Sequence, residues 1–291
     1  MSTTRKPHDD TIALKYGAGG RAMRSLIEEM FVAGAWQQEL DEIDEHERTV
    51  GLSAMDDGAA IKLGDRWLVM TTDSHVVKPL VFPGGDIGRL AIAGTVNDLA
   101  MMGATEPLGL TCGVIIEEGF SRAMLEHVQQ SMRSCCAEAG APIVTGDTKV
   151  MGRGELDGLV INTAGVGLTD RIVRDCGLRV GDKLLVTGTI GDHGLTVLAT
   201  RHALGLDSDL RSDVAPINAL VRHALMVGGT AVVAMKDPTR GGLASALHEM
   251  AAKSGVGILL DERAVPVTQA ARAAESCWES TRFMWRTKAR R

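Results

Sequence analysis

Aromatic side chains are scarce in this 291-residue chain, which holds four Trp, four Phe and one Tyr. That argues against an aromatic platform on which unpaired bases stack. An excess of positive charge is also lacking. Lys and Arg total 31 against 37 Asp and Glu, a formal net charge of -6. The clustered cations of a phosphate-backbone-binding face are therefore not expected, and neither is a nucleic-acid partner. No apolar run approaches the ~18 residues needed to cross a bilayer. The opening segment MSTTRKPHDD lacks the apolar stretch of a secretory signal, so no membrane partner is expected. The five cysteines (Cys112, Cys135, Cys136, Cys176 and Cys277) form no C-x-x-C and no zinc spacing, and their number is odd. Such usage fits a reducing cytoplasm.

Glycine, by contrast, is plentiful at 34 residues, and 45% of the chain is hydrophobic. Tight backbone turns and aliphatic packing follow from that pairing. The length suggests two domains. Apolar β-branched runs bounded by turn residues predict strands at 67–72, 110–116, 159–166, 183–187, 231–235 and 258–260. Helical periodicity runs through 21–33, 87–102, 121–139, 193–202 and 243–253. Strands alternating irregularly with helices read as α/β or α+β. The charged, apolar-poor segment 170–182 is the candidate domain junction, and the acidic run 39–48 reads as a solvated linker.

The first cluster that could carry chemistry is Gly17-Ala-Gly19-Gly20-Arg-Ala22, opening the predicted helix at Arg21. Backbone N–H groups at a helix start bind phosphate through hydrogen bonds and the helix dipole. The run also matches the G-x-G-x-x-A dinucleotide fingerprint. That reading requires a preceding strand and a second strand ending in an acid, whereas an acidic run follows here. A phosphate-cradling loop is the preferred reading, with a plain turn as the other.

A series of aspartates is more informative, each at a strand end or a glycine turn. They are Asp56-Asp57-Gly58, Asp73, Asn97-Asp98, Gly146-Asp147-Thr148-Lys149 and Asp237. Singly, such an Asp is a turn or cap residue. Asp98 differs, because its helix is apolar nearly all round and therefore buried. A buried carboxylate needs a partner, and a bound cation is one candidate. Carboxylates plus a phosphate-binding glycine loop form the inventory of a Mg²⁺–nucleotide site. Lys149 would neutralise charge on a transferred phosphoryl group. The histidines are scattered and read as surface or capping residues. Cys135-Cys136 lies on a helix and reads as core packing.

Several longer motifs point to a known family. Thr71-Thr-Asp-Ser-His-Val-Val, Phe82-Pro-Gly-Gly-Asp-Ile-Gly-Arg-Leu-Ala and Gly94-Thr-Val-Asn-Asp-Leu-Ala-Met-Met-Gly-Ala resemble the hydrogenase maturation carbamoyl dehydratase family, HypE. Thr145-Gly-Asp-Thr-Lys-Val, Gly188-Thr-Ile-Gly-Asp-His-Gly and Lys236-Asp-Pro-Thr-Arg-Gly-Gly-Leu-Ala fit the same pattern, and the likeness covers roughly residues 10–274. The wider superfamily includes selenophosphate synthetase, which carries a reactive Cys or selenocysteine where this chain has Gly20. The resemblance implies a two-domain aminoimidazole ribonucleotide synthetase-like fold and a homodimer, with ATP in the cleft between N-terminal domains. It also implies Asp57, Asp73, Asp98 and Asp237 as Mg²⁺ ligands. Gly17, Gly19, Gly20, Asn97, Gly146, Asp147 and Lys149 would contact the nucleotide, with Asp98 and Lys149 catalytic. The implied reaction is ATP-dependent dehydration of a carbamoylated C-terminal cysteine to a thiocyanate. A partner carbamoyltransferase supplies the carbamoyl group, and an iron-carrying hydrogenase maturation scaffold complex receives cyanide for the [NiFe] centre. In outline, residues 1–45 form an N-terminal segment with the glycine loop, 46–168 an ATP-binding and dimerisation domain, and 169–274 a C-terminal α/β domain.

Residues 275–291 depart from that family. They carry five basic and two acidic residues, contain no glycine, and end at Arg291 rather than at a cysteine. Back-translated from Ser276 and read from the third base, permitted codons give Asp-Pro-Leu-Tyr and Ala-Asn-Glu-Gly-Lys, as in the family. The single codons of Trp278, Met284 and Trp285 anchor that frame. The expectation is an out-of-frame tail, an incomplete C-terminal domain and impaired self-dehydration. A glutamate of the alternative frame would stand where this chain has Thr287.

Overall fold

A computed structural model describes residues 11–17, 19–32, 49–203 and 209–277. The first helix, α1, spans Gly20–Ile27, and strands β1 (Thr49–Val50), β2 (Ala59–Leu63) and β3 (Arg66–His75) follow. Next come β4 (Val81–Phe82), β5 (Gly85–Asp86), α2 (Ile87–Met101), β6 (Pro107–Glu117) and α3 (Arg122–Ala139). β7 (Ile143–Met151) and β8 (Leu159–Thr169) complete the first half. The second half carries α4 (Asp192–Arg201), α5 (Asn218–Gly228), α6 (Gly242–Ser254) and α7 (Gln269–Cys277). Both the acidic run 39–48 and residues 278–291 of the expected tail lie outside the described residues.

One six-stranded sheet, in the order β1-β2-β3-β8-β6-β7, organises the first half. Only β6 and β7 pair in parallel, as the intervening α3 crossover requires. Helix α2 begins where Asp86 accepts a hydrogen bond from the Arg89 N–H at 2.9 Å. It lies across the sheet, and α3 packs beside it. Between these layers Ile87, Ile92, Leu99, Leu110, Leu159 and Ile161 are fully buried. Each contributes about 1.5–3 kcal/mol relative to exposure. Cys135 is buried in the same cluster, as core packing predicts.

Among the contacts that dock the two halves, three lie around the β4–β5 hairpin and the end of α2. The β4–β5 hairpin receives the Ser212 N–H on its Pro83 carbonyl at 2.8 Å. Phe82 meets His193 edge-on, with ring centroids 5.3 Å apart. Val221 of α5 packs on Ala100 and Met101 at the end of α2.

The expected strands at 67–72, 110–116 and 159–166 are present, each somewhat longer than its apolar run. Those at 183–187, 231–235 and 258–260 are not strands: among the described residues the region holds only an isolated Arg174–Ala234 bridge. Leu185 and Leu259 are 93% and 97% exposed. Apolar β-branched runs favour an extended backbone, but a strand also needs a continuous neighbour for its N–H and C=O groups, and these runs have no more than that one bridge. Conversely, β7 was hidden by its central Gly-Asp-Thr-Lys, which reads as a turn. Parallel pairing with β6 from Leu110–Ile143 to Glu117–Met151 overrides that local preference.

Candidate active site

The site is founded on a match between two repeats. Thr71, Asp73 and His75 alternate along one face of β3, rising about 6.6 Å every second residue. On α2, Gly94 and Asp98 stand one helical step of four residues apart, a rise of about 6 Å. The two rulers run together. Asp98 thus meets Thr71, whose hydroxyl lies 3.1 Å from Asp98 Oδ2 and 3.0 Å from the Asp57 carbonyl. It can give its proton to one of them at a time. Gly94 meets Asp73 and His75: a Cβ there would stand 3.0 Å from His75 Cε1 and 3.4 Å from Asp73 Oδ2. Glycine is what lets helix and strand close at this point. Beneath, His75 Nε2 sits 3.2 Å from Thr163 Oγ1, which is itself 2.6 Å from Thr95 Oγ1. Burial lowers the pKa of His75, opposed by Asp73 and reinforced by Arg240.

Electrostatics bind the expected acids into one group. Burial holds Asp98 well above the usual carboxylate range, and Asp237, Asp57 and Asp73 push it further. Asp237 is raised to about 7, first by burial and then by Asp57 and Asp73. Burial also raises Asp57, with Lys236 pulling the other way. Like charges a few ångströms apart disfavour joint ionisation. Among the described residues no three His, Cys, Asp or Glu side chains already stand in an ion-holding arrangement. One observation nevertheless fits a cation: Asp57 Oδ2 is buried and has no hydrogen-bond partner. A cluster of carboxylate oxygens with an orphaned lone pair suits a hard cation such as Mg²⁺.

Above the acids lies a cleft of about 240 Å³ between α1 and α6, lined by Gly19, Gly20, Asp57, Lys236, Asp237 and Arg240. The glycine cluster forms its upper wall. Gly19 has φ 78°, and a Cβ on it would stand 2.7 Å from the Arg240 carbonyl carbon. The α1 N-cap, Gly19, makes no side-chain hydrogen bond, and the first N–H groups of a helix have no partner within it.

The remaining expected residues stand elsewhere. Gly17 is exposed and does not line the cleft. Asn97 is engaged with the second half: its Nδ2 donates to the Ala215 carbonyl at 3.1 Å, and its Oδ1 accepts from the Ile217 N–H at 2.8 Å. Gly146, Asp147 and Lys149 lie on exposed β7 at the sheet edge. A row across the sheet runs Asp73, Thr163, Cys112, Gly146. Three strand spacings, roughly 14 Å, therefore separate Asp73 from Gly146.

A network of ion pairs around the buried carboxylates of Asp56 and Asp175 completes the floor, and the motifs gave it no role. Arg174 meets Asp56 Oδ2 at 2.6 Å, and Lys253 meets Asp56 Oδ1 at 3.0 Å and Asp175 at 2.7 Å. Lys236 Nζ lies 3.0 Å from Asp57 Oδ1, 2.9 Å from Asp175 Oδ2 and 3.4 Å from Glu249 Oε2. Asp175 is held at about 2: burial opposes this, but hydrogen bonds with Asp56, Lys253 and Lys236 outweigh it. The available signal was adjacency, since Lys236 precedes Asp237 and Asp56 precedes Asp57.

The chain matches the model of AIR synthase related proteins, with the N-terminal domain at residues 55–169 and the C-terminal domain at 179–288. It is 44% identical over 266 residues to the carbamoyl dehydratase HypE of Azotobacter vinelandii, covering 91% of this chain and 74% of that protein. The chain belongs to the HypE carbamoyl dehydratase family. Among solved structures, a HypE–HypF complex superposes with a TM-score of 0.73 at 43% identity, covering 83% of this chain and 77% of the other. HypE in complex with ATP gives a TM-score of 0.70 at 42% identity, covering 92% and 76% of the two chains. The mixed α/β, two-domain fold read from the HypE-like motifs is therefore present.

Proposed function

We propose that this chain is a [NiFe] hydrogenase maturation factor that uses ATP to dehydrate a carbamoyl group on a cysteine sulfur. The carrying observation is the convergence of the glycine turn, Asp57 and Asp237 in one interdomain cleft, beside Asp98. The family relationship and the ATP complex of a HypE relative support it. In this reaction the carbamoyl oxygen attacks the γ-phosphorus and ADP leaves. The nitrogen gives up one proton as the oxygen is phosphorylated and its second as phosphate leaves, and the carbon–nitrogen bond becomes the triple bond of a thiocyanate. The poor leaving group oxide has become phosphate.

Asp57, Asp73, Asp98 and Asp237 would hold Mg²⁺, which supplies charge neutralisation at the phosphate oxygens when bound. Gly19 and Gly20 present N–H groups to the phosphates. Lys149 would neutralise the transferred group, but within one protomer it stands on the far edge of the sheet. A homodimer would resolve that separation. In support, β7 is an exposed edge strand with Ile143, Val144 and Val150 open to solvent, an edge of the kind that pairs with another chain. The HypE–HypF complex supports a carbamoyltransferase partner, and an iron-carrying scaffold would take the cyanide. No helix among the described residues is long and apolar enough to cross a membrane. Cys112, Cys135, Cys136 and Cys176 are free, which suits work in a reducing cytoplasm.

The test supplies ATP, Mg²⁺ and a peptide ending in S-carbamoyl-cysteine, then weighs the peptide. Loss of one water per ADP formed is expected, and Asp98→Asn should abolish it. ATP binding without loss of water would instead identify a nucleotide-dependent interaction protein.

A further inference from the structure

Two neighbouring aspartates in this site have different surroundings. Both carboxylate oxygens of Asp56 are taken, one by Lys253 and one by Arg174. Asp57 uses only Oδ1, on Lys236, while its buried Oδ2 has no partner. Lys236 in turn has three carboxylates around its ammonium: it donates to Asp57 and Asp175 and lies 3.4 Å from Glu249 Oε2. Two of those remain if the first is lost. The ammonium on its flexible four-carbon stem can therefore leave Asp57 without becoming an unpaired buried charge.

We propose that Lys236 is a resident counter-ion for Asp57, which a divalent cation displaces onto Asp175 and Glu249. The inference rests on the reading of Asp57 as a metal ligand and adds a residue outside that ligand set. With no metal bound, the ammonium partly offsets the repulsion among Asp57, Asp98, Asp237 and Asp73, and it holds Asp57 with one oxygen free. When a divalent cation approaches, the same ammonium is a like charge beside it and opposes binding. No bond is made or broken. One cation replaces another at one carboxylate, and the lysine stays charged throughout. Lys236 is a positioning residue, acting through Asp57.

The test uses Mn²⁺ alone, without nucleotide, titrated into the full chain and followed by electron paramagnetic resonance of the free ion. Lys236→Met should bind Mn²⁺ about tenfold more tightly than wild type, because a competing charge has gone. Arg174→Gln removes a charge from the same network at Asp56, not Asp57, and should leave Mn²⁺ affinity within about twofold. Mn²⁺ should also raise the melting temperature of Lys236→Met by more than that of wild type, a difference that a purely structural salt bridge would not produce. Lys236→Gln also removes the charge but stays polar; it should show the same gain and carries the comparison if the Met variant folds poorly. Unchanged or weaker Mn²⁺ binding by Lys236→Met, or an equal gain in Arg174→Gln, overturns the inference while leaving the metal reading intact. Absence of Mn²⁺ binding in both wild type and Lys236→Met overturns the metal reading and this inference with it.

Discussion

Asp237 offers a way to see the site's electrostatics in the stability of the whole molecule. Burial and the neighbouring Asp57 and Asp73 raise its pKa from 3.8 to about 7. A raised acid means that the fold prefers the neutral form. Its stabilising contribution is complete below pH 3.8, declines as pH rises, and is lost by about pH 7. Some three pH units at about 1.36 kcal/mol each set an upper limit of about 4 kcal/mol on what ionised Asp237 costs the metal-free protein at pH 8. Asp237→Asn keeps the shape and removes the ionisation. In urea unfolding with a chelator present, the variant should be more stable than wild type at pH 8 by up to about 4 kcal/mol. The advantage should shrink toward zero near pH 4. Mg²⁺ should narrow the gap from the other side, because wild type gains more from the ion than the variant does. Equal pH dependence in the two proteins, or a less stable variant at pH 8, refutes the reasoning.

Two further expectations follow from the docking of the halves. Lys253→Met takes one of two cations from each of Asp56 and Asp175, which are 0% and 1% exposed, and should cost about 3–5 kcal/mol in urea unfolding. A loss below about 1 kcal/mol would show that Arg174 and Lys236 suffice to hold those carboxylates. Asn97→Ala leaves the Ala215 carbonyl and Ile217 N–H without partners and should destabilise by about 1–3 kcal/mol. Calorimetric titration should find its ATP affinity little changed. A collapse of ATP binding at unchanged stability would instead place the Asn97 amide on the phosphates.

How far the molecule could be read from its sequence depended on where each signal was written. Asp98 was legible because a carboxylate in an all-apolar helix contradicts its surroundings, and its raised pKa reflects that conflict. The glycine turn was legible because Gly19 and Gly20 open a helix, and the structure puts both in the cleft. β7 was not, since its turn-like centre is overridden by pairing with a strand more than thirty residues earlier. Runs such as 183–187 misled in the opposite direction, because β preference records a tendency to extend and carries no information about a neighbour. The roles of Lys236, Lys253 and Asp175 were invisible for a further reason. Charged residues in a sequence read as solvent-exposed by default, and only the meeting of two halves buries these.

The acid cluster beneath the cleft has two walls, and they differ in how they are fastened. Thr71, Asp73 and Asp98 sit on a ten-residue strand and a fifteen-residue helix at the centre of the core. Lys236, Asp237 and Arg240 stand on an irregular stretch tied to the chain nearby by the Arg174–Ala234 bridge. Amide protons of the first wall should exchange with solvent only through large-scale opening, while those around 235–241 exchange through local excursions. The lifetime of an assembled site is then set by the shorter-lived wall. Ligands that span both walls, touching Asp98 on one side and Arg240 on the other, would slow exchange most at 235–241, far from the most protected amides of the core.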